Sequence, residues 1–131
     1  MISFEDFKKV EMTVGKILSA EKIPDTDKLL KLSVDLGLKK FSKENLPSEQ
    51  LNDLSVLGED RDIRQIISGI SSYFPDPNVL VGKKCMFVSN LEPRMIRGFE
   101  SNGMIVALST DDNKFSLLEP DDSIPEGTKA R

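Results

Sequence analysis

A polar stretch of the sequence, NLEPRMIRGFESNGM (residues 90–104), carries the side chains best suited to chemistry. Its two arginines, Arg94 and Arg97, have planar guanidinium groups that donate two parallel hydrogen bonds, a geometry that matches phosphate oxygens. Asn90 and Ser101 flank them and can form directed hydrogen bonds to bases or to ribose 2′-hydroxyls. These residue types, taken together, are typical of a surface that contacts nucleic acid.

A simple connector is the competing interpretation of this stretch. The arginines would then be solvated, and Asn102-Gly103 would form an ordinary hairpin turn. The residue types alone favour the connector. Charge keeps the other interpretation open, because residues 64–101 hold five basic and three acidic residues in a chain whose net charge is −4. That net charge argues against a protein that coats nucleic acid without selection.

Two other short segments contain candidate binding residues. In PDTDKLLKL, Lys28 stands where a strand begins, and as an isolated feature it is an ordinary surface lysine. In RQIISGI, Arg64 and Ser68 share one face of a strand rich in isoleucine. Their spacing fits either side chains satisfied in the core or side chains that face a groove.

Catalytic and metal chemistry have little support in the sequence. The chain has no histidine, the commonest general base and zinc ligand, and only one cysteine, Cys85. Cys85 lies in an apolar run and is expected to be a buried thiol, so no internal disulfide can form. Adjacent acids such as Asp111 and Asp112 are typical of turns, and no phosphate-binding glycine motif is present. We expect no enzyme activity, no metal and no cofactor.

The apolar runs and the N-terminus predict a cytosolic protein. No apolar run reaches the roughly 18 to 20 residues of a membrane span, and the N-terminal MISFEDFKKVEM lacks the apolar region of a secretory signal. The chain begins almost at its first predicted helix, so we expect a free-standing protein, although an excised domain would have the same sequence.

The elements that must position these residues are mainly strands. Ser3 is expected to cap a short helix, with Asp6 in the reciprocal position of a capping box. Alternating or apolar patterns predict five main strands and two short terminal ones, and a loop with one helical turn after the third strand. The predicted strands are 12–20, 28–37, 63–70, 84–91 and 103–109, followed by 115–120 and 127–131.

Three of these strand patterns make specific predictions. The first strand places Leu18 on the same face as Val14, and Gly15 inside it indicates a bend or bulge. The second alternates strictly, with every even-numbered residue from Leu30 to Leu36 apolar. The third has isoleucines on both faces, which is typical of a strand buried on both sides.

The segment 38–62 does not fit the alternation of strands and turns. Its 25 residues are too many for an ordinary connection. Leu51, Leu54 and Leu57 recur at helical spacing after a capping Ser48. We interpret the segment as an insertion with a short helix of its own.

Five strands with a helical connection favour a five-stranded OB-fold barrel over a sandwich. A chain of 131 residues fits one compact domain. We therefore predict a mainly β protein that forms a single domain over residues 1–131. It is expected to have a short N-terminal helix, short extra C-terminal strands and a helical inserted loop.

Three segments agree in order and in spacing with a known family. AEKIPDTDKLLKLSVDLG, RQIISGI and NLEPRMIRGFESNGM resemble the structure-specific tRNA-binding domain. That domain forms the C-terminus of many methionyl-tRNA synthetases or a free-standing β subunit, and it occurs in the endothelial monocyte-activating polypeptide. The resemblance runs from ISFEDFKKVEMTVGKI to the closing GTKAR and leaves out only the segment 38–62.

The resemblance implies an OB-fold that binds the outer corner of tRNA by its shape, with little sequence preference and without catalysis. It also implies a homodimer and a partnership with methionyl-tRNA synthetase. Arg94 and Arg97 would contact phosphates, Asn90 and Ser101 would form directed hydrogen bonds, and Met104 would support the loop. The residues carried over from the family are Lys28, Arg64, Ser68, Asn90, Arg94, Arg97, Ser101 and Met104.

Two departures from the family pattern concern charge. Thr13 and Met95 stand where family members often have a basic residue, which predicts weaker binding or help from a partner. A dimeric secretion chaperone that binds unfolded polypeptide shares this fold and is the rival expectation. The segments DKLLKL and SNGM favour the tRNA-binding branch. A pure interaction module that anchors a synthetase complex is a third alternative.

Overall fold

The computed structural model describes residues 1–39 and 60–131. Within these ranges one short helix and a series of strands form the regular structure, and 3₁₀ turns at Ser71–Tyr73 and Pro77–Leu80 follow the third strand. No helix of the same ranges has the length and apolar character needed to cross a membrane. The elements are α1 (Phe4–Phe7), β1 (Met12–Lys22), β2 (Leu30–Leu38), β3 (Arg61–Ser68), β4 (Lys84–Val88), β5 (Arg94–Ile96), β6 (Phe99–Ser101), β7 (Met104–Ile105), β8 (Ala107–Ser109) and β9 (Phe115–Leu117).

Five strands form one antiparallel sheet in the order β3-β2-β1-β4-β7. β5 and β6 form a separate hairpin, and so do β8 and β9. The sheet curls into half of a barrel, and a bridge between Thr13 and Lys129 brings the C-terminal segment alongside β1. The prediction of a mainly β, OB-like barrel with one short N-terminal helix is confirmed.

The core lies against the strictly alternating face of β2. The four apolar residues of that face are buried, together with Ile17 from β1, Ile66 from β3 and Phe87 from β4. Full burial of each such side chain contributes about 1.5–3 kcal/mol. The alternation therefore decides which face of β2 becomes the interior, as the sequence predicts.

The predicted face of Leu18 is wrong, because β1 contains a bulge. The register of β1 against β2 shifts between Ile17 and Ser19, and a one-residue shift moves the following side chains to the other face. Ile17, which pairs with Val34 before the shift, and Ala20, which pairs with Leu32 after it, are both buried, whereas Leu18 in the bulge between them is 42% exposed. The sequence indicated a bend or bulge at Gly15, and the observed bulge lies a few residues further along β1.

Gly15 has a packing role instead. A Cβ atom at this position would lie 2.6 Å from Val34 Cγ1, 2.8 Å from Phe87 Cδ2 and 2.9 Å from Leu36 Cδ2. All three distances are too short for a van der Waals contact between carbon atoms. The missing side chain therefore allows side chains of β2 and β4 to meet over β1.

β3 is buried on both faces only in its second half. Ile66 and Ile67 are buried, whereas Ile63 is 48% exposed. The β5–β6 hairpin covers the second half, since the Ser101 hydroxyl of β6 accepts a hydrogen bond from Ile67 N. The prediction of a fully buried third strand is thus wrong at Ile63, which lies beyond the part that β6 reaches.

Two predicted boundaries differ from the observed ones. β2 extends to Leu38 and β3 begins at Arg61, so both ends of the predicted insertion 38–62 belong to the sheet. The helix predicted inside that segment lies outside the described residues. The strand predicted at 103–109 is divided into β7 and β8, because β7 pairs with β4 while β8 pairs with β9.

An ion pair anchors the start of β3. Asp35, on the predicted polar face of β2, is buried and accepts hydrogen bonds from Arg61 Nε at 2.7 Å and Gly37 N at 2.9 Å. Arg61 Nη2 also donates to Glu126 Oε1 at 3.0 Å. The hydrogen bond with Asp35 raises the pKa of Arg61. One guanidinium group therefore holds β2, β3 and the C-terminal segment together.

Two local predictions are confirmed. The capping box of α1 is formed, with Asp6 N donating to Ser3 Oγ at 3.1 Å and Ser3 N donating to the Asp6 carboxylate. Cys85 is fully buried and unpaired. Burial raises the pKa of the Cys85 thiol to about 11, so at neutral pH the group is uncharged and contributes packing.

We expect Gly15→Ala to lower the free energy of unfolding by about 1–3 kcal/mol, the usual cost of overpacking a core. Urea unfolding followed by circular dichroism measures this loss. Gly69→Ala is the matched control, because among the described residues no atom other than those of Gly69 and its two chain neighbours lies within 4 Å of the position that its Cβ would occupy. Equal stability of the two variants would contradict the packing role of Gly15.

Candidate nucleic-acid interface

The two arginines of the polar stretch lie on a tight hairpin. Arg94 is in β5, Ile96 pairs with Phe99 of β6, and Arg97-Gly98 form the two-residue turn between the strands. Both turn residues have positive φ, 53° and 85°, as a type I′ turn requires. The connector interpretation predicted a hairpin turn at Asn102-Gly103, and this prediction is wrong. Those residues lead from β6, which pairs with β5, into β7, which pairs with β4.

Hydrogen bonds from side chains fasten this hairpin to the edge of β3. The Ser101 hydroxyl accepts from Ile67 N at 3.0 Å, and Gln65 Nε2 donates to Glu100 O at 3.0 Å. One backbone bond joins them, from Asn102 N to Gln65 O at 2.9 Å. Because Ser101 is only 4% exposed, its hydroxyl is a structural group within this contact.

A cation–π contact also joins the hairpin to β2. Lys31 Nζ, from β2, lies 5.3 Å from the centroid of the Phe99 ring and 3.5 Å from Glu21 Oε2. Such a contact contributes about 0.5–1 kcal/mol at an exposed site. Lys31 therefore links the sheet to β6.

The Arg64 guanidinium group connects three segments. Its Nε and Nη2 donate to the two carboxylate oxygens of Asp62 at 3.0 and 2.9 Å. Its Nη1 donates to Asn102 O at 3.1 Å and to Ser89 O. Four of the five N–H donors of an arginine are thus used. Arg64 bridges β3, the end of β4 and the link between β6 and β7.

The Asn90 side chain is also bonded within the protein. Its Nδ2 donates to Lys9 O at 2.6 Å, and its Oδ1 accepts from Glu11 N at 2.8 Å. These bonds join the segment before β1 to the end of β4. An amide nitrogen has two N–H groups, so one donor remains for a ligand.

A groove of about 670 Å³ opens between β3, the hairpin and β7. Apolar side chains of Ile67, Leu91 and Ile96 form part of its wall. The groove brings together residues from three separated segments of the sequence. The predicted binding residues that line it are Ser68, Asn90, Arg94, Ser101 and Met104.

The other three predicted binding residues lie beside the groove. Arg64 lines an adjacent cavity. Lys28 is exposed and stands just before Leu30, which pairs with Ser68, so it lies near the end of the groove that Ser68 forms. Arg97 is exposed at the tip of the hairpin.

Three cations around the groove have no acidic partner in the described part of the chain. Within residues 1–39 and 60–131, Arg94, Arg97 and Lys28 have no acidic group within 4.0 Å. Lys83, in contrast, lies 3.2 Å from Glu119, and Lys84 Nζ donates to two backbone carbonyl oxygens at 2.7 and 2.8 Å. The three cations near the groove are therefore available to an anionic ligand.

Thr13, where the family pattern often has a basic residue, does not face the solvent. It is fully buried, and its Oγ1 is 2.6 Å from Ser89 Oγ. Lys129 Nζ donates to the same oxygen at 3.0 Å. The C-terminal segment thus brings a positive charge to the place where this chain has threonine.

Comparison with known proteins decides the family. Residues 41–129 match the model of the family described as "Putative tRNA binding domain". The chain belongs to this family. The match begins within the predicted insertion 38–62 and covers two of the three segments on which the resemblance was based, RQIISGI and NLEPRMIRGFESNGM, whereas AEKIPDTDKLLKLSVDLG lies before it. The relationship predicted from the sequence is confirmed.

Relatives of this tRNA-binding domain include methionine–tRNA ligases. The ligase of Methanospirillum hungatei is 45% identical over 130 residues, which are 99% of this chain and 16% of the ligase. The ligase of Enterococcus faecalis is 34% identical over 126 residues, or 96% of this chain and 16% of that protein. The chain therefore spans about a sixth of the length of these relatives.

Solved structures with the same fold include a MetRS-related protein from Pyrococcus horikoshii. It has a TM-score of 0.76 and 32% identity, and the match covers 100% of this chain and 98% of the other. The chaperone CsaA from Bacillus anthracis has a TM-score of 0.72 at 24% identity, covering 100% and 99% of the two chains. The likeness to the chaperone concerns the fold alone.

Several features of this tRNA-binding domain were missed in the sequence. Asp62, which orients Arg64, fell within the predicted insertion, and the apolar wall residues looked like ordinary strand residues. One residue in the sequence indicated the β5–β6 hairpin turn. It is the glycine that follows Arg97, because glycine adopts a positive φ most easily. The stronger turn dipeptide Asn102-Gly103 obscured it.

We expect Ser101→Ala to lower the free energy of unfolding by about 1–3 kcal/mol, because the buried N–H of Ile67 loses its acceptor. Ser68→Ala is the matched control and should change stability by about 0.5 kcal/mol or less. Its hydroxyl is half-buried and forms no hydrogen bond in the part of the chain that the structure describes. Thermal unfolding compares the two, and equal losses would contradict the structural role of Ser101.

Proposed function

We propose that this chain, as a single domain over residues 1–131, binds tRNA without catalysing a reaction and recognises the shape of its outer corner. The observation that carries the proposal is the groove, where five candidate residues from separated segments meet beside unpaired arginines. The body of the protein is acidic, with a net charge of −4. A local positive site on such a body binds a shaped polyanion in one place and repels it elsewhere.

The candidate residues have two kinds of role in this proposal. Arg94 and Arg97 contact phosphate oxygens, and Lys28 adds a third positive charge beside the groove. Arg64 and Ser101 act through the fold, since their hydrogen bonds hold β3, the end of β4 and the hairpin together. Asn90 offers its remaining amide N–H to the RNA.

A methionine–tRNA ligase is the partner that fits the relatives best. Because the chain corresponds to 16% of such ligases, its own contribution would be binding, and the reaction would belong to the rest of the ligase. The domain would act as a part of the ligase or as a subunit that delivers tRNA to it. Both arrangements place it in the cytoplasm.

Arg94→Ala combined with Arg97→Ala should weaken tRNA binding and lower the slope of log K against log salt by about 1 for each lost phosphate contact. Filter binding at several salt concentrations measures both quantities. The control is Lys83→Ala with Lys114→Ala, which changes the net charge equally but removes lysines that have acidic partners. Unchanged affinity in the arginine variant would refute the site.

A competition experiment separates this function from polypeptide binding by the same fold. Labelled tRNA is bound first, and unlabelled tRNA, unstructured RNA, duplex RNA or an unfolded polypeptide is then added. Unlabelled tRNA should displace the label at the lowest concentration. Equal displacement by every RNA would contradict recognition of shape, and tight binding of the polypeptide alone would favour the chaperone function.

We also infer a homodimer formed through the N-terminal segment. Phe4 is 70% exposed on α1, and Ile2, Phe7 and Val10 beside it are exposed as well. Clustered apolar side chains on a soluble surface indicate a contact with another protein surface. A second copy of the chain supplies such a surface by symmetry.

Phe4→Ser combined with Phe7→Ser should raise the dissociation constant of this dimer at least tenfold, because the exposed rings lose their apolar contact. Analytical ultracentrifugation over a range of protein concentrations measures it. Leu108→Ser is the control, since Leu108 is also exposed but lies on β8. A dimer with the same dissociation constant in both variants would exclude α1 from the interface.

A further inference from the structure

We propose that the groove between β3 and the β5–β6 hairpin holds one unstacked nucleotide of the RNA, with the base inside and the phosphate at Arg94. This inference rests on the proposed function and names the part of the RNA that enters the groove. The domain would then recognise a nucleotide that stands outside a stacked helix, in addition to the shape of the tRNA corner.

The walls of the groove fit the flat face of a base. Ile67, Leu91, Ile96 and Met104 line it, and the Leu91 and Met104 side chains remain about half exposed in the free protein. A base that covers them removes apolar surface from water on both partners. The volume of about 670 Å³ lies within the roughly 300–1,000 Å³ of small-ligand sites.

The polar groups of the groove fit the edges of a base. The Ser68 hydroxyl, which has no partner within residues 1–39 and 60–131, can donate or accept a hydrogen bond. Asn90 has one N–H left after its bonds to the backbone. These groups read a base at its edge while the aliphatic walls cover its face, and hydrogen bonding to base edges is how proteins recognise unstacked bases in RNA.

Charge gives the nucleotide a direction in the groove. Arg94 and Glu92 both line it. A phosphate is attracted by the guanidinium group and repelled by the carboxylate, whereas an exocyclic amino group of a base donates well to a carboxylate. The phosphate therefore lies at Arg94 and the base lies toward Glu92.

A base in duplex RNA is not available to this site. Paired bases are stacked above and below, and their polar edges are occupied by the partner base. The groove has β3 on one side and the hairpin on the other. Only a nucleotide turned out of its stack can place its base between them.

Met104→Ala tests the apolar wall, and Met95→Ala is its matched control. Both methionines are exposed, but Met95 does not line the groove. With tRNA, Met104→Ala should bind about fivefold more weakly at an unchanged salt slope, because no phosphate contact is lost. Met95→Ala should stay within about twofold of the wild type. Both variants should bind a blunt RNA duplex as the wild type does.

A second measurement isolates the base itself. A single-stranded RNA tetranucleotide and its abasic counterpart carry the same phosphates, and each is used to compete with labelled tRNA. The tetranucleotide with bases should compete at least fivefold better with the wild type, and this advantage should shrink in Met104→Ala and in Ser68→Ala.

The outcomes separate this inference from the proposed function. If the wild type binds no RNA, the proposed function fails and the inference falls with it. If tRNA binding depends on Arg94 and Arg97 while Met104→Ala matches Met95→Ala and abasic RNA competes equally, only the inference is overturned. Competition by an unfolded polypeptide with no effect of the tetranucleotide would assign the groove to polypeptide and overturn it as well.

Discussion

The edge of β3 is the constraint on which the rest of the molecule depends. A strand at the end of a sheet presents unpaired peptide groups, and the five strands of this sheet do not form a ring by themselves. The side chains of Arg64 and Ser101 close the gap. The Arg64 guanidinium group donates to carbonyl oxygens just after β4 and β6, and the Ser101 hydroxyl accepts a hydrogen bond from Ile67 N. A backbone ladder would bring the strands to about 4.8 Å. Here the backbone bond from Asn102 N to Gln65 O does not extend into a ladder within the described residues. Side chains form the contacts around it, and the groove lies beside them.

Four of the arginines fall into two groups. Arg61 and Arg64 are paired with carboxylates and serve the sheet, whereas Arg94 and Arg97 stand on the hairpin without acidic partners in the described part of the chain. A guanidinium group suits both roles because its donors form a rigid fork. Net charge alone does not distinguish them. What separates the two groups is whether a carboxylate of the described chain lies within reach of the guanidinium group.

The sequence was informative where short-range patterns decide the structure. The alternation of β2, the capping box at Ser3 and Asp6 and the buried Cys85 follow from neighbouring residues, and they were predicted. A bend or bulge in β1 was predicted at Gly15, but the position of the bulge after Ile17 was not, because it depends on the register between two strands. The partners of Arg64 and Ser101 lie up to 38 residues away in the chain, so their structural role needed the fold.

The conformation of Arg97 supports a selected function for the hairpin. Within residues 1–39 and 60–131, the other non-glycine residues with positive φ are Asp25 and Asn113, which are types that tolerate this region. Arginine does not share that tolerance, and a type I′ turn favours asparagine, aspartate or glycine at both positions. A residue kept in a costly conformation is typical of functional sites. The turn therefore gives up some local stability and holds a positive charge at its tip, where a short two-residue loop leaves the backbone little freedom to move.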